Sequence, residues 1–323
     1  MDELLYDVLL YVSSAVHTPI KIFTMYIIYI HSPTNMEALP YFMLNIMAWN
    51  LVGTFFGSLL HLYPLFPDEC FRANGLVAVL PRREVIGHVL YCLTAICAVN
   101  CATASTFVVP YRYVLFVHPT VLQNIRRHWF IAFFGFAHFC SSFFTAFFYV
   151  YFIVPVERYP FQQDIPSRQS VFCFEVSGML KALSGTALAS YIILDIVLVV
   201  TCALLLTRHL KKMVHVCSKQ TLDLQRKFLQ YLLILTSVPA AFGGIPLVII
   251  VVTSYFPTLP HATEAYTVSL LVIYNHGTLL SVITILTFKP YRETVRKMFS
   301  AVINNVPNNS AVVHVLSSRV LHE

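Results

Sequence analysis

The chain has 323 residues, 58% of them hydrophobic and 11% charged, with a formal net charge of +6. Soluble domains carry roughly 25% charged residues, and a globular surface of this composition would expose aggregating apolar patches, which excludes an ordinary soluble enzyme. The positive charge does not point to nucleic acid either, because the basic residues are confined to a few short segments between long apolar runs.

A membrane-crossing helix needs about 20 mostly apolar residues. Seven runs qualify, at about 4–30, 39–60, 85–109, 128–152, 180–206, 228–255 and 265–288. They predict an all-α membrane protein: a seven-transmembrane-helix bundle over 1–288, then a tail over 289–323 with an amphipathic eighth helix at about 290–303. The first run reads as a retained anchor, because Asp2, Glu3 and Asp7 stand where a cleavable leader carries positive charge. Lys21 lies deep within it, and snorkelling toward the headgroups accounts for that position without a function. In the third run, His88 and Tyr91 fall in the half where receptor cavities open. The fourth, "HWFIAFFGFAHFCSSFFTAFFYVYFIVP", is the plainest.

The fifth run carries Lys181, Ser184, Leu188, Tyr191 and Asp195 at steps of three and four, so they share one helical face. This predicts a polar stripe turned to the bundle interior. Asp195 is the single acid well inside a span, roughly 22 Å along its helix and past the midplane. A charge there costs on the order of several kcal/mol unless it faces a cavity or a partner. A ligand contact or switch satisfies that condition, and so does a neutral carboxyl hydrogen-bonded between helices. Pro19, Pro239 and Pro246 predict kinks within spans. Asn275 and His276 lie near the middle of the seventh run, where His276, like His88, is either a packed hydrogen-bonding residue or a ligand contact. No internal repeat is visible, which weighs against a transporter built from duplicated halves.

Orientation follows from Lys and Arg placement. Fourteen of the twenty-one basic residues fall in the segments 110–127 and 207–227 and in the tail, including Arg112, Arg208, Lys211, Lys212, Arg226, Lys227, Lys289 and Arg292. The opposite side holds five basic residues and ten of the fifteen acids, so the N-terminus is expected outside and the tail in the cytosol. In the stretch "YNHGTLLSVITILTFKPYRETVRKMF" the apolar helix ends at Phe288, and Pro290 starts a new one. Tyr291, Val295, Met298, Phe299 and Val302 share one face of that helix and Arg292, Arg296 and Lys297 another, the pattern of a helix lying in the membrane interface.

Of eight cysteines only Cys70 and Cys173 fall in expected outside loops, where a disulfide is permitted; whether they pair is a matter of distance and is left open. The Asn308-Asn309-Ser310 sequon lies on the expected cytosolic tail, and no cysteine follows Cys217. No metal-ligand spacing, nucleophile–base pair or phosphate loop is present, so neither a metal nor a cofactor is expected.

Three stretches carry a resemblance: "TPIKIFTMYIIYIHSPTNM" (18–36), "SKQTLDLQRKFL" (218–229) and "NHGTLLSVITILTFKPYRETV" (275–295). Together they resemble the nematode serpentine chemoreceptors, most closely class H, in a superfamily that includes sibling classes such as class I. The resemblance covers nearly the whole chain. Two departures stand out: Lys21 replaces a usual His, and in "VVPYRYVLF" Pro110 replaces a usual Glu ahead of Arg112. The resemblance implies a small-molecule ligand, coupling to a heterotrimeric G protein and residence in the cilia of chemosensory neurons.

Three functions stay in view. A receptor would take a ligand near His88, Tyr91, Lys181, Ser184, Tyr191, Asp195, Asn275 and His276. It would meet its G protein through Tyr111, Arg112, Arg208, Lys211, Lys212, Arg226, Lys227, Lys289 and Arg292. A small-solute transporter or membrane enzyme would need an ionisable path, and the spans supply only Lys21, Asp195 and scattered histidines. A non-signalling membrane subunit would need no site at all. The short outer loops leave no room for a large binding domain, so a small or lipid-soluble ligand fits best.

Overall fold

The computed structural model describes residues 2–33, 36, 38–80, 83–120, 126–160, 170–176, 178–212 and 219–305, with only the backbone of 127, 180, 219–228 and 302–305. The sequon, Cys217 and the tail beyond Asn305 lie outside the described residues.

Among the described residues seven helices are long and apolar enough to cross a membrane. The first span is Glu3–His31 and the second Leu39–Leu60. The third runs through Arg83–Thr106 and Val108–Val117, the fourth is Arg127–Val150 and the fifth Met179–Lys212. The sixth comprises Lys219–Pro239, a π-helical turn at Ala240–Gly244 and Ile245–Tyr255. The seventh is Ala262–Thr287, followed by a tail helix at Lys289–Asn305.

Two boundaries differ most from the sequence reading. The third helix was expected to end near 109 but continues to Val117, so Tyr111 and Arg112 sit on a helix and not in a loop. Pro110 has no N–H to give the carbonyl four residues back, which is why the helix breaks at Phe107 and resumes. A charge did not end it because the Arg112 guanidinium lies over the Phe116 ring, 5.2 Å from its centroid, and is buried. The sixth helix starts nine positions earlier than the apolar run, carrying its polar first turns beyond the apolar layer. Its π turn lies between Pro239 and Pro246, where two missing donors loosen the regular ladder.

Lys21 does not snorkel. It is 1% exposed, and its Nζ donates to Thr54 Oγ1 at 2.8 Å and to the Tyr274 carbonyl at 2.9 Å. Those oxygens on the second and seventh spans are closer than any headgroup, and they hold the ammonium inside the bundle.

One end of the bundle carries a four-stranded antiparallel sheet, in the order β1-β2-β4-β3. The strands are β1 Leu62–Pro64, β2 Cys70–Ala73, β3 Ile153–Val154 and β4 Val171–Phe174. Cys70 stands directly opposite Cys173, and the two form a disulfide. The sheet forms a cap over the helix ends. Phe172 seats it on the third span at Gly87, where a Cβ would lie 2.7 Å from the ring. Polar side chains hold it to the first span: Arg72 Nη1 and Asn74 Nδ2 donate to Glu3 at 3.0 and 2.8 Å, and Asn74 also to Asp7 at 3.1 Å. We expect Gly87→Val to lift the cap and destabilise the protein by about 1–3 kcal/mol, read as a lower unfolding temperature in detergent.

At the opposite end Met43, Ile46, Met47, Leu232, Leu235 and Leu280 pack with Tyr291 of the tail helix. The Tyr291 hydroxyl reaches Ser32 Oγ at 2.7 Å, tying the tail helix to the end of the first span. Val295 and Met298 pack on the same core, while Phe299 is exposed. The apolar face of this helix is therefore divided between the bundle and its surroundings, not given wholly to the interface.

Candidate functional site

Beneath the cap the third to sixth spans enclose a cavity of about 700 Å³, within the usual range of roughly 300–1,000 Å³ for small-molecule sites. Glu69, Phe71 and Phe174 of the cap form its roof, and its walls are mostly apolar and aromatic. Lys181, Ser184, Leu188, Tyr191 and Asp195 all line it, the five positions that the spacing of the fifth run placed on one face. Lys181 and Asp195 are fourteen residues apart, about 21 Å along a helix, so they mark its two ends.

At the capped end Lys181 Nζ forms an ion pair with the Glu69 carboxylate and donates to the Val176 carbonyl at 3.1 Å. Tyr255 of the sixth span donates its hydroxyl to the Lys181 carbonyl. Lys181 Nζ also lies 5.5 Å from the Tyr255 ring centroid. Burial pushes the Glu69 carboxyl above its ordinary range, and the Lys181 ammonium pulls it back part of the way. At the far end the Tyr191 hydroxyl is 2.6 Å from Thr103 Oγ1, and the Asp195 carboxyl lies beside the Thr106 and Tyr191 hydroxyls. Asp195 Oδ2 is buried with no hydrogen-bond partner among the described residues.

Tyr91 joins this lining, but three other sequence candidates do not. His88 is held under the cap, with Nδ1 3.1 Å from the Tyr149 hydroxyl and its ring 5.0 Å from that of Phe172. His276 points into the second, third and seventh spans, where Asn50 Nδ2 approaches its ring nitrogens at 3.2 and 3.3 Å. Asn275 accepts from Ser13 Oγ at 2.6 Å. Asn275 thus faces the first span and His276 the second, third and sixth, and neither lines the cavity. The sequence reading passed over Glu69, Thr103, Thr106, Tyr149 and Tyr255. The threonines sit in "NCATASTF", a polar interruption of an apolar run, and Glu69 directly precedes Cys70.

At the tail end Arg208, Lys211, Lys212, Lys289 and Arg292 are exposed. Arg292 Nη1 donates to the Leu286 carbonyl at 2.8 Å, and Lys289 lies 3.7 Å from Glu293. Tyr111 is half-buried between Phe42 and Phe130, its ring 4.9 and 5.5 Å from theirs. Arg112 is buried over Phe116 and so is not part of this exposed basic rim. The side chains of Arg226 and Lys227 lie outside the described residues. Among the described residues no group of three His, Cys, Asp or Glu could hold a metal ion.

The family model described as "Serpentine type 7TM GPCR chemoreceptor Srh" matches residues 3–301, all seven spans and most of the tail helix. No curated protein gives a match. A match over nearly the whole chain agrees with the seven apolar helices, and it makes this a multi-pass membrane protein of a receptor class and not an enzyme. The chain belongs to the serpentine seven-transmembrane G-protein-coupled chemoreceptor family Srh.

Proposed function

We propose that the chain is a chemosensory receptor that takes a small molecule into the capped cavity and passes the signal to a heterotrimeric G protein at the tail end. The observation that carries this is the cavity itself, with a roof of cap residues and the polar stripe of the fifth span along one wall. The capped end then faces outside, where oxidising conditions suit the Cys70–Cys173 bridge. The tail end faces the cytosol, which agrees with its exposed basic residues. Cilia of chemosensory neurons are the fitting location for such a receptor.

The contacts suggest how the signal travels. Tyr191 and Asp195 touch Thr103 and Thr106 just before the break at Phe107. Beyond the break Tyr113 and Phe116 pack on Leu206 and Leu210 of the fifth span. A ligand that favours one arrangement of the third and fifth spans at the cavity floor shifts this lower packing with it. The π turn of the sixth span supplies a second place where the backbone can yield.

The partner surface is then Tyr111 with Arg208, Lys211, Lys212, Lys289 and Arg292, together with Arg226 and Lys227. A positive field of this kind complements an acidic partner and speeds its docking. In cells carrying a promiscuous G protein and a calcium reporter, the triple change of Arg208, Lys211 and Lys212 to Gln should cut signalling at equal surface expression. Unchanged signalling would place the partner elsewhere. Tags on intact cells should be labelled at residue 1 and not at residue 323; the reverse would overturn the orientation and the receptor function with it.

A further inference from the structure

We propose that the ligand is an amphiphilic amine, an apolar body with one basic nitrogen, which enters from the bilayer and seats its ammonium on Asp195. This rests on the receptor function just proposed and names the ligand class.

The charge balance of the cavity comes first. Among the described residues only Glu69, Lys181 and Asp195 bring charged groups to its lining. Glu69 and Lys181 neutralise each other at the roof. Asp195 is left about 21 Å away along the helix with no basic side chain among the cavity's other residues. Its Oδ2 is buried and without a hydrogen-bond partner among the described residues, while Thr106 and Tyr191 stand beside the carboxyl. A carboxylate only accepts hydrogen bonds. A ligand carboxylate would repel it, and a ketone or ester would offer only further acceptors. An alcohol donates one bond and leaves the charge of the carboxylate uncompensated. An ammonium donates a bond and compensates that charge as well, so the resulting pair brings no net charge into the membrane interior.

The remainder of the cavity sets the body of the molecule. Above Asp195 the walls are mostly apolar, with the hydroxyls of Ser141, Thr145, Ser184 and Ser254 among them, up to an aromatic group at the roof, where Tyr91, Tyr149 and Phe174 lie with ring centroids 5.6–5.8 Å apart. A long apolar body lying along the fifth span fills this space.

The route follows from which wall is thin. The cap, with its disulfide and ion pair, closes the end of the bundle. The fourth and fifth spans both line the cavity but scarcely pack on each other. Phe144 of the fourth and Leu198 of the fifth line it while remaining 56% and 44% exposed. The gap between these two helices opens toward lipid, the phase in which an amphiphile is concentrated.

The test uses the full chain purified in lipid nanodiscs and three probes of one shape: phenylbutylamine, phenylbutanol and phenylbutanoate. Competitive binding and thermal shift are measured on the parent and on Asp195→Asn. The amine should bind about tenfold more tightly than the alcohol and the acid most weakly. Asp195→Asn should bring the amine down to the level of the alcohol while leaving alcohol binding intact, which also shows that the variant is folded. If the alcohol or the acid binds as tightly as the amine to the parent, or Asp195→Asn keeps the amine preference, the ligand class is overturned and the cavity stands as a binding site. If none of the three binds, the small-molecule site falls, and the ligand class with it.

Discussion

Serine in place of Cys173 is expected to leave almost no folded receptor at the cell surface. The bond joins two strands at directly opposed positions and closes a loop across a sequence separation of 103 residues. On chain-entropy grounds such a closure contributes roughly 4–5 kcal/mol, against a total stability of about 5–15 kcal/mol for a folded domain. Both half-cystines are fully buried, so each serine also leaves a hydroxyl in an apolar layer. The cap then loses the link between its two halves, and the roof of the cavity loses Glu69, Phe71 and Phe174 together. Surface labelling of tagged cells measures the effect. Cys70→Ser should match Cys173→Ser, and the double variant should lose little beyond either, because all three lack the same bond and that loss is the larger cost. Cys92→Ser, at a free and half-buried cysteine, should behave like the parent. A Cys173→Ser variant at parental surface level would remove the disulfide from any account of the cap.

The fold was legible where a single period or a bulk property carried the signal. Seven apolar runs sufficed for the bundle, because each backbone polar group in lipid must be satisfied within its own helix. The spacing of Lys181, Ser184, Leu188, Tyr191 and Asp195 selected one face, and that face lines the cavity. Other features were not legible, for identifiable reasons. The cap strands are two to four residues long, too short to show alternation. Their pairing joins residues from loops on either side of the third and fourth spans, so no local pattern contains it. His88, Asn275 and His276 looked like Tyr91 in the sequence, since a polar residue in a span shows only that it faces protein. Which neighbours it faces depends on helix rotation, and rotation is set by packing such as Gly277 against Asn50. Arg112 was expected in the segment 110–127 beyond the third apolar run; its burial over Phe116 depends on a helix continuing where an apolar count would stop it.

The order of damage among three changes at the roof tests the ion pair of Glu69 and Lys181. Their side chains are 5% and 9% exposed, and removing one partner of such a pair costs about 3–5 kcal/mol because the other charge stays buried. Lys181→Met should be the worst, since Lys181 is the one ion-pair partner of the Glu69 carboxylate among the described residues. Glu69→Gln should be milder: the ammonium keeps the Val176 carbonyl at 3.1 Å and the face of Tyr255 at 5.5 Å. The double variant Glu69→Gln with Lys181→Met should recover much of the loss, because no charge is left unpaired. The pH dependence of unfolding in detergent gives a second readout. Glu69 holds its proton more tightly in the folded protein than in the unfolded chain. Its contribution is therefore complete below the ordinary carboxylate range and declines as pH rises through its folded value. Lys181 is the influence that lowers that value, so Lys181→Met should prolong the decline to higher pH, and acidification should partly rescue the variant. Glu69→Gln should abolish this pH response. Equal damage from both single changes with no recovery in the double variant would show that Lys181 and Glu69 act through packing and not through their charges.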